Sequence, residues 1–324
     1  MSTQSPKPPN SDSPKMISID FGGTSVKIGI VIGENIIHQC EPIFTQDYDS
    51  PSALINKVAA VINELKNSHS DIKAIGAGIP GYINTKEGSI HSLPNVKGWE
   101  GFLFTKSIYE LTQLPCYIDN DANCMAYAEW KHGAGKGIDN LLCLTLGTGL
   151  GGGIISNGNL IGGANTTAAE IGQTSIEYRG KAGTHGNSGA VEEYIGNQAI
   201  AAEAQKSYAK LGINKPIESW SPKTLSELAD KGDETAIEIW SNVAEKLACS
   251  IANTCWLFNP DAVIIGGGVA AVGDHLFTPL RNFLHHRLAP PFRDHLSVLP
   301  ALFGNQAGII GAAALAEEKY KLNK

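Results

Sequence analysis

The chain has 324 residues, 42% of them hydrophobic, enough to furnish cores for two ordinary domains. Its formal charge of −7 comes from well-mixed acidic and basic residues with no basic block, which gives nucleic acid no electrostatic footprint to bind. No apolar run nears the roughly 18 residues of a membrane span and the N-terminus has no signal-like apolar stretch, so a cytoplasmic protein without membrane or nucleic-acid partners is expected.

Residues 1–15 hold Pro6, Pro8, Pro9 and Pro14 among Ser, Asn and Asp, too little apolar surface to offset ordering, and are expected to form a disordered tail. From Met16, the runs MISIDFGGT, SVKIGIVI and IIHQC read as three strands with a hairpin turn from Gly33 to Asn35. Ser50 and Pro51 make a good helix start, and Leu54, Val58, Ile62 and Leu65 then fall on one helical face. The buried strand KAIGAGIPG follows. The second half repeats this order: NLLCLTLGTGLGGGIISNGNLIGG gives strand, Gly-rich loop, strand, a turn from Ser156 to Asn159, and strand. Further on, Ile237, Trp240, Ala244, Leu247, Ile251, Cys255 and Phe258 mark one face of a long helix stopped by Asn259, Pro260 and Asp261. The strand AVIIGGGVA after it parallels KAIGAGIPG. Two similar halves, each opening on a Gly-rich hairpin, predict a duplicated α/β architecture with a cleft between the halves.

Chemistry-bearing residues gather at the ends of these strands. Asp20 closes a buried strand ahead of Gly22, Gly23 and Thr24, where backbone N–H groups and a hydroxyl can approach phosphate and the carboxylate can hold a water-clad Mg²⁺. An ordinary hairpin with a capping Asp is the plainer alternative. The stretches from Gly76 to Gly81 and from Gly147 to Gly152 both match GxGxxG, yet each is followed by strand and turn rather than a helix, which removes the dinucleotide reading. The loop at Gly147, Thr148 and Gly149 is then either a phosphate-cradling hairpin or a structural β-turn. Gly266, Gly267 and Gly268 do precede a helix, expected from Asp274 to Leu288, and could seat the adenosine end of a nucleotide.

In YIDNDANCMAYAEW, Asp121 sits where a strand passes into a helix, flanked by Asn120 and Asn123. Orphan N–H groups there can hold it ionised, ready to accept a proton from a substrate hydroxyl during phosphoryl transfer. A simple helix N-cap is the commoner role for such an Asp. Glu170 and Glu192 follow Gly-rich loops and either accept hydrogen bonds from a polyol or are merely solvated. Asn95 is a turn residue or an amide contact to a sugar. The six cysteines, Cys40, Cys116, Cys124, Cys143, Cys249 and Cys255, lie apart and mostly within apolar runs, and read as reduced core thiols.

Together the segments DFGGTSVK, GAGIPG, LPNVKGW, DNDANCMAYAEW, LGTGLGGGIISNGNLIGG, AAEIGQ and NPDAVIIGGGV resemble, in order and spacing, the ROK family of sugar kinases and repressors. The resemblance covers the chain from Met16 to its last helix. It implies an actin-like, ribonuclease H-like two-domain fold, ATP with Mg²⁺, a hexose or N-acetylhexosamine substrate and a homodimer. Glucose phosphorylated at its 6-hydroxyl is the leading expectation, ahead of N-acetylhexosamine, mannose or fructose. Carried over by position, Asp121 is the catalytic base, and Asn95, Asn120, Glu170, Gln173 and Glu192 contact the sugar. Asp20, Gly22, Gly23, Thr24, Lys27, Gly147, Thr148 and Gly149 would hold the phosphates and metal, and Gly266, Gly267 and Gly268 the adenosine end. The last helix is expected to return to the first domain, giving a small domain of 16–125 with 306–324 and a large one of 126–305.

One departure stands out. Many members of the family carry a His and a CxCGxxGC element that bind structural zinc, whereas the matching positions here read Gln173, Gly183, His185 and Ala190. A closed zinc site needs four N or S ligands, so no zinc is expected. Two competing functions, a sugar-binding sensor without turnover and an NAD oxidoreductase using Gly266 to Ala271, lack a DNA-binding segment and an opening strand-helix fingerprint respectively.

Overall fold

The first apolar run pleats so that alternate residues face opposite ways. In β1 (Lys15–Phe21), Ile17, Ile19 and Phe21 join one core, while Met16 faces a second cluster and the Ser18 hydroxyl donates to the Ile309 carbonyl. The structure, a computed structural model, describes residues 13–93, 98–184 and 186–323. It divides into two compact units, one of residues 1–136, 162–168 and 305–324 and the other of 137–161 and 169–304.

In the first unit β1 is followed by β2 (Ser25–Ile32), β3 (Asn35–Gln39) and β4 (Ile43–Phe44), so the turn expected through Asn35 closes one residue earlier. Helix α1 (Pro51–Ser68) starts as its sequence dictates, with the Ser50 hydroxyl accepting from the Ala53 N–H and Pro51 at the first helical position. Then come β5 (Ile72–Ile79), the hairpin of β6 (Tyr82–Asn84) and β7 (Ser89–Ser92), and α2 (Phe104–Thr112). Strand β8 (Cys116–Asn120) passes directly into α3 (Asp121–Lys131). The sheet order is β3-β2-β1-β5-β8, with β1 antiparallel to β2 and parallel to β5, and β5 parallel to β8.

The second unit opens with β9 (Leu141–Leu146), β10 (Leu150–Ser156) and β11 (Asn159–Leu160). Helices α4 (Glu192–Ile195), α5 (Asn197–Lys210), α6 (Pro222–Ala229) and α7 (Glu234–Phe258) follow, then β12 (Ala262–Gly266), α8 (Asp274–Arg287), α9 (Pro290–Arg293) and β13 (Ser297–Pro300). Its order, β11-β10-β9-β12-β13, repeats the five-strand path of the first sheet in direction as well as sequence, β4 being an extra strand paired with β2. Helix α7 buries Trp240, Ala244, Leu247, Ile251 and Cys255 as its periodicity requires, but Ile237 near its start and Phe258 at its end are exposed. Asn259 ends it in the left-handed conformation with φ of 44°.

Helix α10 (Ala307–Leu322) belongs to the first unit, packing on α3, β5 and β1. The approach is close: a Cβ on Gly311 would fall 1.7 Å from the Cys124 carbonyl oxygen, and one on Gly76 would fall 1.8 Å from that of Ala312. The division expected at residue 125 lies within α3, which stays whole in the first unit. Residues 162–168 join that unit as well, since the Thr166 hydroxyl donates to the Ile83 carbonyl at 2.7 Å and accepts from the Thr85 N–H at 3.1 Å. Among the described residues no helix is long and apolar enough to cross a membrane, and all six cysteines are free thiols.

Candidate active site

In the first unit the decisive geometry lies at the junction of β8 and α3. Asn120 is the helix cap: its Oδ1 accepts from the Ala122 N–H at 2.9 Å and its Nδ2 donates to the Gly81 carbonyl at 3.0 Å. Asp121, the first helical residue, accepts from the same Ala122 N–H at 2.9 Å. Asp121 is exposed, yet desolvation by the protein around its carboxyl pushes it above its ordinary range, the negative charge of Asp20 pushes the same way, and the Ala122 N–H opposes both only in part. The helix N–H groups expected to hold this carboxylate are represented by that of Ala122, and desolvation outweighs it. Asn123 does not flank Asp121 either; its Nδ2 donates to Asp119 at 2.8 Å. Asp119, overlooked in the sequence reading, also accepts from the Asn120 N–H at 2.8 Å and so clamps the turn that presents Asp121. The pattern Asp-Asn-Asp was its only signal.

Asp20 is the second-last residue of β1, beside this junction. Lys27, directly opposite on β2, pairs with it at 3.1 Å, and the first turn of α10 presses on it, a Cβ at Gly308 falling 2.7 Å from its carboxylate. The loop beyond is held by its carbonyls: the Thr45 hydroxyl donates to Gly23 O at 3.0 Å and the Thr45 N–H to Thr24 O at 3.0 Å. A Cβ on Gly23 would meet nothing within 4 Å, so the backbone there is open to a ligand. Asn95 lies outside the described residues.

In the second unit the Gly147, Thr148 and Gly149 loop joins β9 to β10 and is fastened by the Asn197 N–H, which donates to Gly147 O at 2.9 Å at the start of α5. Glu192 lies behind it. One carboxylate oxygen accepts from the Gln173 amide at 2.6 Å and the other from the Leu150 N–H at 3.4 Å, while a Cβ on Gly149 would fall 2.6 Å from that second oxygen. Glu192 thus ties Gln173 to the loop, with acceptor capacity left on both oxygens. The Gln173 Oε1 is buried without a partner among the described residues. Glu170 precedes the short turn Ile171–Gln173 and is exposed. Of the last glycines, Gly266 is buried within β12 and presents no surface, Gly267 packs on the Leu146 backbone, and Gly268 is open. A 3₁₀ turn, Gly268–Val272, stands between these glycines and α8, whose last residue is Arg287 rather than Leu288.

The sequence profile of the ROK family matches residues 16–319. The chain belongs to the ROK family. Among relatives, the glucokinase of Halalkalibacterium halodurans is 32% identical, covering 94% of this chain and 95% of that protein. That of Thermotoga maritima is 31% identical, covering 94% and 98%. The crystal structure of a ROK family glucokinase from Streptomyces griseus in complex with glucose and AMPPNP is similar at TM-score 0.78 and 30% identity, covering 94% of this chain and 99% of that one. The fold is accordingly the actin-like duplicated α/β fold of ROK glucokinases.

The segment where many ROK proteins hold zinc is built differently in this ROK chain. His185 lies outside the described residues; Gln173, Gly183 and Ala190 provide no thiolate or imidazole, and among the described residues no group of three or more His, Cys, Asp or Glu side chains gathers. These residues do not fit zinc. The Tyr194 hydroxyl accepts from the Lys181 N–H at 2.8 Å and donates to Glu177 at 2.9 Å, Lys181 Nζ donates to the Glu193 carbonyl at 2.8 Å, and Asn187 Nδ2 donates to the Gln173 carbonyl at 2.7 Å. Antiparallel bridges of Ser175 with Ala190 and of Ala182 with Ser188 complete the staple.

Proposed function

We propose that this ROK-family chain transfers the γ-phosphoryl group of ATP to a hexose, with the 6-hydroxyl of glucose as the favoured acceptor. The observation that carries the reading is Asp121, exposed at the first residue of α3, with its carboxyl raised above the ordinary range by desolvation from the protein around it and by the charge of Asp20. A sugar hydroxyl attacks phosphorus better as its proton departs, and a carboxylate raised above its ordinary range accepts that proton more readily than an unperturbed one. The loose transition state of phosphoryl transfer asks no more basicity than that.

The other residues take roles that follow from their contacts. Asn120, fixed at both ends of its amide, sets the turn that aims Asp121. Glu170 and the unpaired Gln173 Oε1 accept from sugar hydroxyls, and Asn95 donates to one. Glu192 holds Gln173 and the Gly149 loop in register. Gly22, Gly23 and Thr24, with Gly147, Thr148 and Gly149, approach the phosphates, and Gly267 and Gly268 the adenosine end. Asp20, a half-buried carboxylate with Lys27 on one side only, fits a Mg²⁺ held through water, an ion that would neutralise charge on the phosphates. The glucose and AMPPNP bound by the Streptomyces griseus enzyme support this choice of substrates.

A coupled ADP-release assay with glucose, mannose, fructose, N-acetylglucosamine and N-acetylmannosamine tests the reading. ADP should form only when a sugar is present, with the largest kcat/KM for glucose. A preference for another hexose moves the substrate; no sugar-dependent ADP with any of them overturns the kinase.

A further inference from the structure

The repeated sheet aligns Asp20 with a residue that no motif singled out. Asp20 is the second-last residue of β1 and pairs with Gly78 of the parallel strand β5; Thr145 is the second-last residue of β9 and pairs with Gly266 of the parallel strand β12. Each is followed by one apolar residue, Phe21 or Leu146, and then by the first glycine of a loop, Gly22 or Gly147. The apolar neighbours also correspond. Ile19 and Phe21 enter the first core, Leu144 and Leu146 the second, so Asp20 and Thr145 stand on the matching opposite faces of their strands. Where one half carries a carboxylate, the other carries a hydroxyl.

That hydroxyl is unusual. The Thr145 Oγ1 is buried and has no partner among the described residues. Removing a hydroxyl from water without a partner costs stability, and valine would fill the same shape without that cost. The backbone just beyond both paired strand ends is open: a Cβ on Gly147, two residues after Thr145, or on Gly268, two after Gly266, would meet nothing within 4 Å. Phosphate oxygens are acceptors, and a threonine hydroxyl can donate to one.

We propose that Thr145 contacts the substrate nucleotide, its Oγ1–H donating to a nonbridging oxygen of the terminal phosphates. This assignment rests on the kinase reading and adds to it a residue of the second loop. The bond strengthens as charge spreads over the phosphoryl oxygens in the transition state.

The test compares wild type, Thr145→Val and Thr145→Ser for kcat, KM for ATP, KM for sugar and thermal midpoint. Thr145→Val should keep or raise the thermal midpoint and leave the sugar KM unchanged. It should lose kcat/KM for ATP on the order of 10- to 100-fold, the lower part of what a lost transition-state donor costs. Thr145→Ser, which keeps the hydroxyl, should retain most of it. Wild-type kcat/KM for ATP in Thr145→Val, or equal losses in the Val and Ser variants, would overturn the assignment while leaving the kinase intact. A wild type that forms no ADP with any hexose would overturn the kinase reading and this assignment together.

Discussion

Asp121 sits under two opposed demands. Desolvation by the surrounding protein and the charge of Asp20 raise the cost of its ionised form, though the residue is exposed, and that same cost makes it a competent proton acceptor. Asp121→Asn keeps the shape and an oxygen able to accept from the Ala122 N–H but cannot take a proton. Turnover should fall by about 10²-fold or more, with little change in sugar affinity. Stability should move the other way. Because the folded-state pKa is raised, the favourable contribution of Asp121 is complete below its unfolded value of about 3.9 and is lost as pH rises through the folded value. The Asn variant should therefore melt at or above wild type at pH 7, and the difference should vanish in acid. Wild-type kcat/KM should fall on the acid side at a pH above the ordinary carboxylate range, where the base becomes protonated. Paired rate and melting measurements across pH check both, and near-normal turnover in the variant would remove Asp121 from the role. The position of Asp121 was legible because a strand running into a helix places such a residue at the N-terminus. The direction of its pKa was not, since its surroundings depend on elements remote in sequence, among them the strand that bears Asp20.

The segment from Gln173 to Glu192 shows what a single element can and cannot disclose. The loss of zinc ligands was plain in the residue types, but the replacement was not: Tyr194, Lys181, Glu177 and Asn187 lie at spacings with no recognisable period, and only the folded loop brings them together. The pairing of Gln173 with Glu192 was hidden for the same reason, so two residues expected to reach a sugar independently prove to share one hydrogen bond. With the staple made of hydrogen bonds, the purified protein should contain no stoichiometric zinc, and its thermal midpoint should be unchanged by a zinc-selective chelator. One equivalent of zinc by elemental analysis, lost together with stability on chelation, would mean that other ligands have replaced the cysteines. Helix α7 gives a smaller lesson. Its apolar stripe was read correctly through its middle, but Ile237 and Phe258 lie at its ends, where no neighbouring element covers them.

Across the whole chain, the duplication was visible as two Gly-rich hairpins followed by similar buried strands, and the structure resolves it into two sheets with the same five-strand path. The return of residues 162–168 to the first unit was not visible, since it depends on hydrogen bonds of Thr166 and of the Ala164 carbonyl to residues some eighty positions away. The repeat also gives the chemistry its form, with a carboxylate at the end of β1 and a hydroxyl at the end of β9 in matching register. The product of the reaction tests the central claim most directly. Phosphorus NMR of the purified chain with ATP, Mg²⁺ and glucose should show a sugar 6-phosphate monoester and ADP growing in equal amounts, with no growth of inorganic phosphate. ADP accompanied only by inorganic phosphate, or no change at all with glucose or any other hexose, would contradict it.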